Sequence, residues 1–407
     1  MKLNRQPRTK YRLGAAVIIS VMSLGLLSCQ KERINTPILP EKTVHGDKNQ
    51  QLINYAEPNL RRLATKLHQG HQQVHIVQIG DSHTAADFFS GTLRTLFQQR
   101  YGNAGPGFVP PVSIPGQRTA TINRITADKK WTLFTSRKDN RSDYPLGGSV
   151  AQPRTKNAEV QLKEFKPTGD RYQLQALYQS PLNAKLSVQP SPNGAVSLPA
   201  TGAEWRFSAP VSTQLPAMAT FSQYNEIKLG GWFIKSQHPG VILSALGING
   251  ATINMLDKWQ TGWEQTLAQL SPDMVILAYG TNEAFNDNLE ISAYRQGLKD
   301  KIRLIRQQMP NAVILLVGPN DSLKFKTANG CAAQQPVHLN NVIAAQKAVA
   351  SEERTLFWDW REFMGGSCSI KTWSAQELAR PDGVHLSASG YEKSAQALYS
   401  QLNQLLR

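Results

Sequence analysis

The sequence predicts an α/β domain, a parallel sheet with helices on both faces, interrupted by an all-β sandwich insert. Three observations carry that reading. Short apolar runs alternate with helical patterns at both ends of the chain. A stretch rich in Pro, Gly, Ser, Thr and Gln, residues 105–235, separates those ends. Within it, strand-like runs recur at short spacing with turn residues between them.

The elements follow in order. Residues 1–12 carry Lys2, Arg5, Arg8, Lys10 and Arg12 and no acidic residue, and residues 13–28 are uncharged and mostly apolar. A basic start and a short apolar run describe a secretory signal, 1–28. The run of 16 residues falls short of the ~20 needed to span a bilayer. Residues 29–47, polar and containing Pro37 and Pro40, read as a tether. Apolar positions at Leu52, Ile53, Ala56, Leu60, Leu63 and Leu67 predict one helix over 49–68. His75–Ile79, ending in Gly80, predicts a buried strand, and the pattern through Phe88, Phe89, Leu93, Leu96 and Phe97 predicts a helix over 86–99.

In the insert, strands are predicted at 160–165, 172–178, 185–188, 195–198, 217–221 and 227–234. Beyond it, strands are predicted at 241–246, 273–279, 312–317 and 355–358, and helices at 255–270, 290–309, 337–352 and 387–405. The expected division is an α/β domain of 48–108 and 236–407 and an insert of 109–235. Five strands joined by helices allow a five-stranded parallel sheet.

Composition narrows the classes. The 8 Trp, 13 Phe and 11 Tyr of this 407-residue chain argue against disorder. Three cysteines are too few for a disulfide scaffold or a four-cysteine zinc site. A net charge of +16 invites a nucleic-acid reading. Five of those charges lie in the signal, leaving +11 in an exported chain that meets no nucleic acid. Leu26-Leu27-Ser28-Cys29 resembles a bacterial lipobox, which implies lipidation of Cys29 and a membrane anchor. Gln30, where an aspartate would favour inner-membrane retention, points to an outer-membrane lipoprotein facing the periplasm. In that oxidising space Cys331 and Cys368 are candidates for a disulfide.

The residues that carry chemistry sit at predicted strand ends. Gly80-Asp81-Ser82-His83 follows the first strand, and ligand crevices in open parallel sheets lie at that edge. Ser82 is expected to open the next helix, whose free N–H groups favour a developing anion. A serine nucleophile needs a base. Of eight histidines only His385 has an aspartate three residues before it, Asp382, in Pro381–His385. That spacing lets a carboxylate reach Nδ1 and steady the imidazolium that forms as Nε2 takes the serine proton. Gly247–Ala251 and Gly280–Glu283 follow two further strands and offer a glycine N–H and an asparagine amide as oxyanion donors. His68, His71 and His75 straddle a helix end and a strand, so their rings are not expected to converge on a metal.

Gly-Asp-Ser, a turn glycine, Gly-x-Asn and Asp-x-x-His, in this order, resemble the signature of the SGNH (GDSL-like) hydrolases, whose fold is flavodoxin-like. The resemblance implies Ser82 as nucleophile, Asp382 and His385 as the rest of a triad, and the Ser82 and Gly250 N–H groups and the Asn282 amide as oxyanion donors. Gly247 is the alternative glycine. The longer block Gln78–Gly91, the Gly-Pro-Gly-Phe at 105–108 and Gly247–Thr252 resemble the bacterial peptidoglycan O-acetylesterases. In that family a sandwich similar to a family 35 carbohydrate-binding module interrupts the hydrolase. The implied activity is removal of acetyl from C6 of muramic acid in O-acetylated peptidoglycan, with no metal or other cofactor. An O-acetyltransferase on the same triad and a non-catalytic wall-binding lipoprotein are the other readings left open.

Overall fold

The computed structural model describes residues 51–127, 129–224 and 226–407. The signal 1–28, Cys29 and the tether lie outside the described residues. Among the described residues no helix is long and apolar enough to cross a membrane.

The central sheet has six strands. From edge to edge these are Leu52–Asn54, Leu356–Trp358, Val313–Val317, Met274–Ala278, Gln73–Gly80 and Gly240–Gly247. The last five are parallel, in the doubly wound order 2-1-3-4-5 when counted along the chain. Their side chains alternate between two cores, as a sheet covered on both faces requires. Val77, Ile79, Ile242, Leu246, Val275, Leu277, Ile314 and Leu316 face one layer. Val74, Ile76, Val241, Leu243, Met274, Ile276, Val313 and Leu315 face the other.

The sixth strand corrects the expectation of one helix over 49–68. Leu52–Asn54 pairs antiparallel with Leu356–Trp358, and the helix begins only at Leu60. Three apolar-then-polar residues cannot tell a strand from a helix by period. The free edge of the sheet decides, and Pro58 then disfavours a helical Glu57. The helix expected over 86–99 occurs at Phe89–Tyr101, and a separate short helix, Ser82–Ala85, precedes it. Asp87 stands between them at φ +45°. Its carboxylate is held by the buried Arg94 at 3.1 Å and by the Ala120 N–H of the insert at 2.6 Å.

The helix expected over 255–270 also breaks. A 3-10 turn, Ile253–Lys258, and a short helix, Trp263–Ala268, replace it. Between them the backbone is extended, because Tyr144 of the insert donates its N–H to Lys258 and accepts that of Gln260. Helices Ile291–Gln308, Leu339–Glu352 and Ala388–Leu405 lie within two residues of their predicted ends. Two short helices, Trp360–Met364 and Ser369–Ala375, were not read from the sequence.

The insert consists of two antiparallel-paired sheets of five and seven strands. The strands read from the sequence all occur, with shorter ones added, including Ile122–Ile125, Trp131–Thr135 and Ser149–Pro153. Its own core lies between the sheets around Leu162, Tyr172, Leu174, Leu186 and Trp232. A second contact matters more for the site. Tyr144, Leu146, Trp205 and Phe233 of the insert join Phe108, Ile242, Leu246 and Ile248 in one continuous core. The insert thus covers the outer strand Gly240–Gly247 on the face where no helix does, and Asp47–Arg407 form one compact unit.

Candidate active site

Three neighbouring strands end side by side. Gly80 pairs with Gly247 on one side and with Ala278 on the other. The turns that follow carry Ser82, Gly250 and Asn282. Chain order reverses across these strands, so the crevice lies where a doubly wound sheet binds its ligand.

Gly80 must be glycine: a Cβ there would lie 2.3 Å from Thr84 Oγ1 and 2.5 Å from Ala278 O. The chain therefore turns tightly out of the strand. Asp81 caps the turn by accepting the His83 N–H at 2.9 Å. The helix that Ser82 opens has only four residues. It supplies free N–H groups, but not the macrodipole expected of a long helix.

Ser82 Oγ lies 2.9 Å from His385 Nε2. His385 Nδ1 lies 3.0 Å from Asp382 Oδ2. The other carboxylate oxygen accepts the Val384 and His385 N–H groups, both at 2.8 Å. Partial burial raises the Asp382 carboxyl. The hydrogen bonds from His385 and Val384 outweigh that and hold it below the usual carboxylate range. The loop that carries the pair is tied to the sheet by Asn320, which donates to Val384 O at 2.7 Å, and by the Leu323 N–H to Gly383 O at 2.8 Å. Both His385 and Asp382 remain partly exposed, as residues open to a substrate must be.

The donors differ in readiness. Gly250, exposed and at φ +74°, has no acceptor for its N–H among the described residues, and neither does Ser82. Gly247, by contrast, sits inside the strand pairing, and a Cβ on it would meet Ala85 N at 2.1 Å. Asn282 Nδ2 donates to Ala251 O at 2.9 Å and makes a long contact of 3.4 Å to Asp81 Oδ2.

Beneath this surface lie residues whose roles sequence reasoning missed. Glu283 is buried and binds the Ile253 N–H at 2.8 Å and the Gly280 N–H at 3.0 Å, clamping the two donor turns together. Burial raises it to about 7. Burial raises Asp81 to about 8, with the charge of Glu283 adding to the effect. His83 is pushed down to about 3 by burial and by the His385 ring. It is neutral, and its Nδ1 meets the Tyr391 hydroxyl at 2.8 Å. Glu283 adjoins Asn282 in the sequence, which was the available signal. Nothing in the spacing announced Tyr391, which comes from the last helix.

Cys331 and Cys368 are joined by a disulfide with Cα atoms 6.0 Å apart. His75 is buried between Leu270 O at 2.8 Å and Ser244 Oγ at 2.7 Å, a core role. Trp205 and Trp232 of the insert are 3% and 0% exposed and belong to cores.

Comparison with known proteins agrees with this architecture. The family described as peptidoglycan O-acetylesterase, N-terminal, matches residues 104–218. The GDSL-like lipase/acylhydrolase family matches residues 229–393. Ser82 precedes both ranges, so its approach to His385 is a result of the geometry. No curated protein matches the chain. Among solved structures, one titled "Peptidoglycan O-acetylesterase in action, 5 min" is 35% identical, with a TM-score of 0.79 over 88% of this chain and 99% of that one. A lipase/acylhydrolase from Enterococcus faecalis is 18% identical with a TM-score of 0.31, over 40% of this chain and 77% of that one. An acetyl xylan esterase is 20% identical with a TM-score of 0.31, over 39% of this chain and 79% of that one. At 35% identity across almost the whole of a solved relative, and with both family ranges in register with the insert and the sheet, the chain belongs to the peptidoglycan O-acetylesterases, GDSL-type carboxylic ester hydrolases.

Proposed function

We propose that Ser82, His385 and Asp382 act as a catalytic triad that removes acetyl from the C6 hydroxyl of muramic acid in peptidoglycan. The observation that supports it most is the unbroken hydrogen-bonded line from Ser82 Oγ through His385 to Asp382, at 2.9 and 3.0 Å.

In this reading His385 Nε2 takes the Ser82 proton as Oγ attacks the acetyl carbonyl carbon. Asp382, ionised, holds the ring in the tautomer that accepts at Nε2 and steadies the imidazolium. The tetrahedral oxyanion is received by the unengaged N–H groups of Ser82 and Gly250. The Asn282 hydrogen that is only loosely held toward Asp81 completes the set. His385 then gives its proton to the departing sugar oxygen, and the C–O bond to the sugar breaks. Water, deprotonated by the same imidazole, attacks the acetyl-serine. Acetate leaves and Ser82 regains its proton. Neither half-reaction calls on a metal or an organic cofactor.

The signal-like start and Cys29 support a lipid anchor that holds the enzyme in the cell envelope, at the outer membrane and facing the wall. The test is acetate release from O-acetylated peptidoglycan by the chain lacking residues 1–28. Ser82→Ala should lower the rate by at least ~10³-fold. Undiminished release by that variant would sink the triad. Acetyl moved to an acceptor glycan without free acetate would replace the esterase with a transferase.

A further inference from the structure

We infer that the cavity beside the oxyanion turn, between the insert and the sheet, is a subsite for the carboxylates of the peptide stem on the acetylated sugar. The inference rests on the esterase reading above and says which part of the substrate the insert holds.

The cavity has a volume of about 570 Å³. Leu133 and Phe134 of one insert strand line it, together with Ile248 and Asn249 of the turn that leads to Gly250. Arg137 and Lys138, in the turn after that strand, stand at its rim. Arg137 is next to the reaction centre, because a Cβ on Gly250 would lie 3.9 Å from its Nε.

The rim is cationic and uncompensated. Among the described residues neither Arg137 nor Lys138 has a carboxylate partner. The nearby carboxylate, Asp139, is already taken by the Arg141 backbone N–H at 3.0 Å and its Nε at 2.9 Å. A third cation, Lys258, binds Ser136 O at 2.9 Å and Asp139 O at 3.0 Å, which pins the turn and adds its charge. An uncharged sugar ring gives these cations nothing to pair with. The acetylated muramic acid carries its lactyl-peptide at C3, two ring atoms from C5, which bears C6, and the two substituents diverge from the ring. With the acetyl carbonyl at Gly250, that stem extends away from the nucleophile. Its carboxylates would meet Arg137, which can take one with two parallel hydrogen bonds. The apolar floor of Leu133 and Phe134 suits the methyl groups of a short peptide.

Two measurements test this. The first compares kcat/KM for acetate release from O-acetylated glycan strands bearing stems with that from the same strands after an amidase has removed them, which leaves each muramic acid only the short lactyl carboxylate in place of the longer stem and its carboxylates. Wild type should favour stem-bearing strands about tenfold, and Arg137→Ala should erase the preference, chiefly through KM. The second titrates an unacetylated muramoyl dipeptide into the chain. Arg137→Ala or Lys138→Ala should weaken binding about tenfold and five-fold, with the wild-type affinity falling as salt rises. No preference in wild type, or an equal loss on both glycans in Arg137→Ala, would overturn the subsite. Release of no acetate from either glycan would instead sink the esterase reading, and the titration would still decide the subsite. Arg137 is exposed, so its removal leaves the fold intact, which the thermal transition checks.

Discussion

Asp81 adjoins Ser82, the proposed nucleophile, and contacts Asn282, a proposed oxyanion donor, so an ionised carboxylate there would oppose the charge that develops on the substrate. Burial removes the conflict, because a group raised to about 8 stays protonated through neutral pH. Turnover of a small acetyl ester should therefore fall as pH rises through about 8, and Asp81→Asn should abolish that alkaline fall while keeping the cap. Stability has the same origin. From ~4, where carboxyls of the unfolded chain ionise, up to the raised values, the folded chain holds protons the unfolded chain has lost. Stability must then decline as pH rises through that window, and the decline should be smaller in Asp81→Asn, as denaturant midpoints at several pH values would show. At the proposed triad, Asp382→Asn should leave the fold unchanged and lower kcat by ~10³–10⁴, because the ring loses the partner that sets its tautomer. Asn282→Ala should cost ~10²–10³ in kcat.

Among the elements, the short helix Ser82–Ala85 is steadied from outside. The insert segment 114–121 lies across it, with the Arg118 N–H on Ala85 O at 3.0 Å, the Arg118 guanidinium 4.1 Å above the Phe88 ring, and Gln117 on Gly247 O at 3.0 Å. The loop that follows strand Val313–Val317 holds the Asp382–His385 turn, and its far end is fastened by the disulfide between Cys331 and Cys368, 37 residues apart. Asp321 of that loop binds the buried Arg361 at 2.9 Å and the Ile370 N–H at 3.0 Å. Replacing both cysteines by serine should lower unfolding stability by ~2–4 kcal/mol in chemical denaturation. A free-thiol count that does not rise on reduction would show that the bond is absent.

At the scale of the molecule, the insert and the sheet share a core, so they should unfold together. Phe233 is 5% exposed in that shared core and packs on the ring of His75 at 5.3 Å. Phe233→Ala should cost ~3–5 kcal/mol and shift one common calorimetric transition, where independent modules would show two. Deleting 109–235 should give a chain that fails to fold, because Ile242, Leu246 and Ile248 would lose their cover. The proposed stem subsite is therefore better tested at Arg137 than by removing the insert.

Much of this protein could be read from the chain itself. The parallel strands are continuous apolar runs, because both of their faces are buried. The site residues follow the ends of those strands, because that is where a doubly wound sheet opens. Ser82, Asp382, His385, Gly250 and Asn282 were expected from that rule together with the family resemblance, and the structure brings Ser82, His385 and Asp382 into one hydrogen-bonded line. The tertiary structure alone decided what depends on distant partners. An edge strand formed at Leu52–Asn54 because Leu356–Trp358 had a free edge. The helix expected over 255–270 broke where Tyr144 of the insert pairs with the backbone at Trp259, and the helix at Phe89 starts after Asp87, whose carboxylate accepts the Ala120 N–H of the insert. The charge states of Asp81, Glu283 and His83 follow from burial, which no spacing encodes. Local pattern records which surface each residue can bury; it does not record which remote segment arrives to bury it.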